Sequence, residues 1–538
     1  MRPFLTSDLK VKFLGITPVF SDKTGILNPQ EIAAFSALLT FKGKSIKNLL
    51  KDTFKKGENL KERIGKILQK SSLIGHASVA TTPSLCLNYE GSKFLDSALT
   101  GIYFSSSLVS SGRRTSTTEK DIVFPNKIFL NKKAKEIYQK ISEKIIELFN
   151  FLLSQGIQKD EASKILQYGI FGTGIIQLPI ETIVGLKREY LAEKDWMPEE
   201  IGIFLKKIEK ETKKLGIDLL YTTREAAPRN IYPYPNIFKN PEKSNLVRRL
   251  CKNEKLTEGS KIISIEALIT PELRKKLEEL EKKRKETFAS LKKIKKEWPN
   301  LLALLQEILR DYNLAIKIKV LSSIPWRVWG EKKRHRTCPQ IIESIYYAID
   351  RAAEKFKKFK KQIEQRKISQ TTLKKIEEVF SIPPSIKQNP TLLSEYLSVA
   401  LEAFEGYQRL IDLKIKPRDA IFLIPRAVKN DILQEYDLYN FLTGYYPLRL
   451  CQTAEEEMRR NSLREVAQIK NALTEKGLGF LNNFIVPKCQ IIGFCPEEKY
   501  CPMVLSSVKN YNKKFHREMK EELKKKFEEN LKKLGKWS

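Results

Sequence analysis

Hydrophobic spacing changes character several times along the chain. Residues 85–89 and 102–109 read as apolar strands, and 78–88 is rich in Thr, Ser and β-branched residues, which predicts strand and turn. Residues 133–155 repeat apolar positions at helical spacing. Thr270-Pro271-Glu272 reads as a helix start, with Thr as N-cap, Pro at the first helical position and an acid in the first turn. Leu273, Leu277, Leu280, Phe288, Leu291, Ile294 and Trp298 follow at helical spacing, and Pro299 is expected to end that helix. A second helix over 301–313 would complete an antiparallel two-helix arm. Beyond it lie a strand over 315–321, a basic turn over 326–336, long helices including 391–412, and a helical tail over 507–538.

This order predicts an α+β protein. Two tandem domains, each a central antiparallel or mixed sheet with long helices, would be joined by the helical arm. The expected divisions are 1–253, 254–314 (the arm), 315–506 and 507–538 (the tail). A length of 538 residues is ample for at least two cores.

Charge changes the picture next. Lys+Arg number 98 against 64 Asp+Glu, a net charge of +34. Such an excess favours anionic partners: nucleotides, phosphorylated cofactors, nucleic acid or an acidic membrane surface. The tail alone holds eleven cations and five acids, so nucleic-acid binding is a third reading, although a Lys-rich helix face is ordinarily only solvated. The start of the chain lacks an apolar core followed by a small-residue cleavage site, so secretion is not expected. The most apolar stretch, 168–185, is interrupted by Thr173, Gln177, Pro179 and Glu181 and cannot supply the roughly 20 apolar residues a spanning helix needs. Seven scattered cysteines argue against a disulfide scaffold and for a reducing, cytoplasmic setting. With three histidines in the chain, a His triad or His-rich metal cage has little to draw on.

Candidate chemistry centres on Arg334-His335-Arg336, followed seven residues later by Ser344. Arginine presents planar, bidentate donors to phosphate and carbonyl oxygens, and imidazole can stack on a heteroaromatic ring. A helix starting near Cys338-Pro339 would add its dipole to the same anion and place Ser344 about two turns along. On the tripeptide alone, a basic surface turn in a Lys-rich region is the simpler account.

The spacing resembles the signature of the flavin-dependent thymidylate synthase family, Arg-His-Arg, seven residues, Ser. Gly75-His76-Ala77-Ser78 resembles the family's Gly-His-x-Ser stretch. Leu448-Arg449-Leu450 with Gln452-Thr453-Ala454-Glu455-Glu456-Glu457-Met458-Arg459 is similar to its C-terminal Leu-Arg-Leu and Ala-Gln-x-Glu-Ile-Arg run. The resemblance implies FAD as cofactor, contacted by His76, Arg334, His335 and Arg336. It implies dUMP as substrate, with Ser344 beside the uracil and Arg449 on a uracil carbonyl. Methylenetetrahydrofolate would supply the methyl group and NADPH the reducing equivalents, giving dTMP. Sites between subunits of a tetramer imply self-association, here two tandem chains forming a pseudo-tetramer. No metal site and no membrane contact are implied.

Leu108-Val109-Ser110-Ser111-Gly112-Arg113-Arg114-Thr115 resembles a worn copy of the segment around Arg334. It suggests a tandem duplication whose first copy lost the signature, its serine position falling at Ile122. The retained copy departs from the family as well. Tyr346 stands where the family has Arg, Ile342 where it has Glu, Glu331 where it has Gln, and Leu438-Tyr439-Asn440-Phe441 where it has Asn-x-Arg-Ser. These losses motivate a second reading, a repurposed flavin- or nucleotide-binding protein without catalysis.

Other candidates are weaker. Cys489, Cys495 and Cys501 lack the close pairs and fourth ligand of a zinc site and read as buried or loop thiols. Cys338 and Cys86 read as packing. Trp326, Trp329 and the intervening Arg327 could make an aromatic-basic surface for bases but fit the packing of the approach to the signature turn. Tyr439, Tyr445 and Tyr446 could line a pocket or fill the core.

Overall fold

The computed structural model describes residues 3–17, 20–22, 25–57, 59–102, 104–110, 116–229, 231–243, 245–254, 256 and 259–534. It is a mixed α+β structure with two four-stranded sheets. The compact units are discontinuous in sequence. One comprises Met1–Leu246, Pro325–Arg336 and Ile342–Asn430; the other comprises Val247–Ile324, Thr337–Ile341 and Asp431–Ser538. They therefore do not follow the contiguous segments read from the sequence.

The first sheet contains β1 (Lys10–Thr17), β2 (Ser84–Ser92), β3 (Ser106–Val109) and β4 (Phe171–Pro179), ordered β1-β2-β4-β3 with antiparallel neighbours. The second, most of it in the second unit, contains β5 (Ser260–Ala267), β6 (Ile316–Pro325), β7 (Gln340–Ile342) and β8 (Lys429–Asp437), ordered β5-β6-β8-β7. Each sheet thus runs first, second, fourth, third. In each, the first pair is antiparallel and carries a register shift, between Phe13 and Gly15 and between Lys319 and Val320. In each, the second strand runs straight into a short helix: α1 (Lys93–Leu99) after β2 and α2 (Trp326–Lys332) after β6. Residues 326–332, expected as a turn, are therefore helical.

The correspondence is closest before the fourth strand. Helices α3 (Lys132–Ser154) and α4 (Pro390–Asp412) are both 23 residues long. Each is capped by an asparagine side chain, Asn131 or Asn389, accepting from backbone N–H groups of the first turn. Tyr138 donates its hydroxyl to the Val123 carbonyl and Tyr396 donates to that of Ser381. Isolated β-bridges join Ile122 to Ile170 and Phe380 to Val428. Gly156 and Lys414, two residues past the helix ends, both have positive φ, 79° and 65°. All these pairs share one spacing of 258 residues, and Lys144 and Glu402, an ion pair between α3 and α4, are themselves 258 apart.

The arm forms with a different break. Its helices are Pro271–Phe288 and Leu291–Tyr312, so Pro299 lies inside the second rather than ending the first. Ser290 sets the new start by accepting the Lys293 N–H. Ion pairs Lys276–Glu307 and Lys283–Glu297 fix the two helices antiparallel. Ser78–Thr81, expected as extended, makes one helical turn before β2. The tail is helical over Lys513–Leu534. No helix among the described residues is long and apolar enough to cross a membrane.

Candidate functional site

In the first unit, α1, α2 and the chain preceding β4 meet over an aromatic core. Phe94 stacks on Phe422 at 4.2 Å between ring centroids, and Trp326 lies 4.3 Å from Tyr168. The Trp326 indole donates to Ser97 Oγ at 3.1 Å. Trp326 and Trp329 are fully buried, so they pack the signature turn rather than face solvent.

Above this core lies a cavity of ≈ 100 Å³ whose lining includes Lys93, Asp96, Arg327, Glu331, Arg334 and Arg426. Lys93 Nζ pairs with Asp96 Oδ2 at 3.1 Å and donates to Ser110 Oγ at 2.5 Å. Arg327 pairs with Glu331 at 3.1 Å. Arg426 donates through Nε and Nη2 to the Gln167 carbonyl at 3.2 and 2.9 Å and lies 4.6 Å over the Tyr168 ring. Burial, the largest cause in each case, pulls the Lys93 ammonium below its ordinary value and the Arg426 guanidinium down to about 10. Below the cavity, Lys333 donates to the Ser97 and Asp96 carbonyls and is held well below the usual lysine range, chiefly by burial. Glu200 accepts from the Ser92 N–H at 2.8 Å, and burial pushes its carboxyl up to about 7.

Arg336, two residues on, donates to the Ile102 carbonyl at 3.1 Å and to Ser105 Oγ at 3.3 Å. Burial and then Arg334 lower its pKa. The 102–105 segment borders a second cleft of ≈ 240 Å³, lined among others by Phe104, Leu186, Tyr232, Tyr234, Glu181 and Arg229. Phe104 and Tyr232 meet edge to face at 5.2 Å. Glu181 is fully buried between Arg224 (2.8 Å) and Arg229 (2.9 Å). The loop carrying His76 approaches this wall: a Cβ on Gly75 would lie 3.3 Å from the Pro228 carbonyl. His76 itself is exposed and His335 half-buried.

Ser344 sits differently from the expectation. Residues 340–342 form strand β7, and the following helix, α5 (Ile345–Glu364), begins only after Ser344. Ser344 is its N-cap: the hydroxyl accepts the Tyr346 N–H at 3.3 Å and donates to the Lys239 carbonyl at 2.5 Å, fully buried. Tyr346 packs its ring 5.0 Å from Trp196 and donates to the Trp196 carbonyl. Ile342 and Leu438 are core residues. Ile122 pairs structurally with Phe380, not Ser344. The positions between Val109 and Ile122 are too few to hold a counterpart of the 20-residue α5. Ser111–Thr115 of the worn segment lie outside the described residues; Val109 and Ser110 line the cationic cavity.

Arg449 belongs to the second unit, on the turn Tyr446–Arg449, and is half-buried. Tyr436 and Tyr446 bond to Glu465 Oε2 at 3.1 and 3.3 Å, and Ser322 bonds to Oε1 at 2.7 Å. Tyr445 and Tyr446 are thus core. A cavity of ≈ 510 Å³ in this unit is lined among others by Leu305, Asn313, Thr337, Asp437, Tyr439 and Thr443. Asn440 ties Asp437 (2.6 Å) to the Thr337 carbonyl (3.2 Å), anchoring the chain just after Arg336 to the end of β8. No group of side chains placed to hold a metal ion occurs among the described residues. Motif matching found Arg334 and Arg336. Lys93 and Arg426 carry no motif, and their only signal is a cation beside a strand end.

An α+β protein with an arginine-rich cavity at its strand ends is the class that fold and site define. Residues 313–473 match the sequence profile of the family described as thymidylate synthase complementing protein. The chain is 32% identical over 133 residues to a flavin-dependent thymidylate synthase of Pyrococcus furiosus and 33% over 133 residues to that of Pyrococcus horikoshii. Each match covers 24% of this chain and 51% of the relative, so the chain spans about half the length of the curated relatives it matches. A flavin-dependent thymidylate synthase structure from Helicobacter pylori, complexed with FAD and dUMP, aligns over 42% of this chain and 99% of its own, at 16% identity and a TM-score of 0.27. Over residues 313–473 the chain is similar to the flavin-dependent thymidylate synthase family.

Proposed function

We propose that the protein is a FAD-dependent thymidylate synthase-like enzyme, converting dUMP to dTMP with methylenetetrahydrofolate and NADPH. One observation carries this reading. The retained signature arginines lie against residues 97–110: Arg334 on a cationic cavity, Arg336 at the rim of a cleft walled by Phe104 and Tyr232. Cations beside flat aromatic walls fit a flavin nucleotide, whose ring is planar and whose linker is anionic. Arg334, His335, Arg336 and His76 would hold FAD, which supplies hydride chemistry when bound. Arg449 would polarise a uracil carbonyl of dUMP. Ser344 would reach the nucleotide only by giving up its bond to Lys239. The +34 charge would draw in the anionic substrates in a salt-dependent way.

The shared strand order and the 258-residue spacing support a tandem duplication. The first copy lacks α5 and the intact signature, so one flavin site per chain follows. Two chains would pair into a pseudo-tetramer in the cytoplasm, which sedimentation tests.

Burial of Ile342, Tyr346 and Leu438 at positions where the family carries polar ligands favours the second reading, binding without turnover. Incubation of the full chain with FAD, NADPH, methylenetetrahydrofolate and dUMP separates the two. dTMP formation abolished by Arg336→Ala supports the synthase. Flavin uptake with no dTMP supports the binder. If neither occurs and nucleic acid binds with a steep salt slope, the basic tail becomes the functional element.

A further inference from the structure

Cys489, Cys495 and Cys501 recur every six positions in the second unit, and the fold brings a fourth cysteine to them. Cys451 stands on the turn before the helix Glu456–Glu475. It lies close enough to Cys489 and Cys495 for their charges to act on one another, and so does Cys501. None of the four is in a disulfide; Cys489 and Cys495 are buried, Cys451 and Cys501 half-buried. Burial first, and then the three neighbouring sulfurs, push the Cys489 thiol up to about 12. Ionised together, four such groups would repel; a bound metal makes a set of thiolates favourable.

The loop that carries two of these cysteines is held firmly. Residues 493–501 contain no helix or strand. Gly493 turns the chain with φ 84°, and a Cβ there would lie 2.7 Å from the Phe288 ring. Phe494 packs on Trp298 at 5.4 Å. From the tail helix, Lys520 donates to the Pro496 carbonyl at 2.6 Å and His516 donates through Nε2 to the Glu498 carbonyl at 3.1 Å. The Tyr511 hydroxyl accepts the Cys495 N–H at 3.2 Å. Gln490, beside Cys489, donates to the Met503 carbonyl at 2.9 Å, just past Cys501. Pro496 and Pro502 directly follow two of the cysteines and fix the backbone there. The Glu497 N–H bonds to the Cys495 sulfur, the kind of contact that tunes a thiolate-held centre. Ordering a loop without secondary structure costs backbone entropy, which links from its cysteines to one bound group would offset.

We propose that Cys451, Cys489, Cys495 and Cys501 bind an iron–sulfur cluster. Four thiolates hold [2Fe–2S] and [4Fe–4S] clusters, and a spaced trio with one distant cysteine is the layout of plant-type ferredoxins. A single zinc ion fits less well. Its bonds of about 2.3 Å draw the sulfurs tightly round one point, usually from closely spaced cysteine pairs. No group of side chains among the described residues is placed to hold one ion in that way, and the spacings here are wider. A cluster keeps its ligand sulfurs further apart, with iron and sulfide between them. The proposal uses none of the residues of the flavin reading and stands or fails separately from it.

Analysis of the full chain for iron and acid-labile sulfide tests it, after purification without oxygen or reconstitution with ferrous iron, sulfide and a thiol reductant. Equal amounts are expected, about two or four of each per chain. Dithionite reduction should give an electron paramagnetic resonance signal that survives removal of FAD. Cys495→Ser should lose most of the iron. Cys451→Ser, at a half-buried turn outside the pinned loop, should lose it with helical content unchanged, which keeps the test open where Cys495→Ser does not fold. Cys86→Ser, in the first unit, should retain it in full. Tightly bound zinc without iron, no uptake of iron and sulfide, or uptake that Cys451→Ser and Cys495→Ser both leave intact overturns the proposal.

Discussion

The two sheets share one strand order yet hold different chemistry, and the contrast shows which parts of a repeated arrangement are free to differ. Segment 122–180 and its counterpart 258 positions on keep the same caps, bridges and tyrosine bonds. These serve backbone groups that must be satisfied wherever they are buried. The loop after the third strand answers to no such demand. In one sheet it leads into α5, capped by Ser344; in the other it is a short connection to Ile122. Ligand contacts concentrate in such connections because the scaffold tolerates their change.

Swapping residues between equivalent positions probes the comparison. The largest effect is expected at Gly169, whose equivalent is Ala427. A Cβ there would lie 2.5 Å from the Phe422 carbonyl and closer still to the Tyr138 hydroxyl. Gly169→Ala should cost about 3 kcal/mol and Ala427→Gly only about 1 kcal/mol, read by denaturant unfolding. Equal costs would mean the two sites are not distinct in packing.

Next comes pH. The Glu200 carboxyl, raised to about 7 by burial, binds its proton more tightly when folded than when unfolded. Its contribution is present below the unfolded value near 4.3 and is lost as pH rises toward 7. Glu200→Gln should remove a decline of order 2 kcal/mol between pH 4.5 and 7. A stability profile that keeps its slope in the variant would refute this assignment.

Tyr138→Phe and Tyr396→Phe should each cost about 1 kcal/mol, since each loses one hydroxyl-to-carbonyl bond. A gap of several-fold between them would show that the bonds are not equivalent. The smallest effect is at the helix ends. Lys414 adopts φ 65° where its counterpart is Gly156, so Lys414→Gly should stabilise by about 0.5 kcal/mol and Gly156→Lys destabilise by a similar amount.

Much of this was legible before any coordinates. The helices near 133–155 and 391–412, the strand after 315 and the arm follow from periodicity and caps. The arm's break did not, because Ser290 and Pro299 offer competing signals and only packing selects Ser290. The signature was readable as far as Arg334 and Arg336. Ser344 was misplaced because Pro339 looked like a helix start, whereas residues 340–342 pair into a sheet. The 258-residue spacing is faint in the sequence: few side chains are shared along it, among them Asn131 and Asn389, Tyr138 and Tyr396. The extra helix shifts the register, so equal spacing from the worn segment falls on Ile122 rather than on an equivalent of Ser344. Lys93 and Arg426 carry no motif and become a site only when the strand ends meet.

The central claim is a flavin site built on Arg334 and Arg336. The direct measurement is the visible spectrum of the full chain, saturated with FAD, desalted and quantified per chain. About one FAD per chain, bleached by NADPH, perturbed by dUMP and lost in Arg336→Ala, is predicted. A colourless protein, or two equivalent flavins per chain, would contradict it.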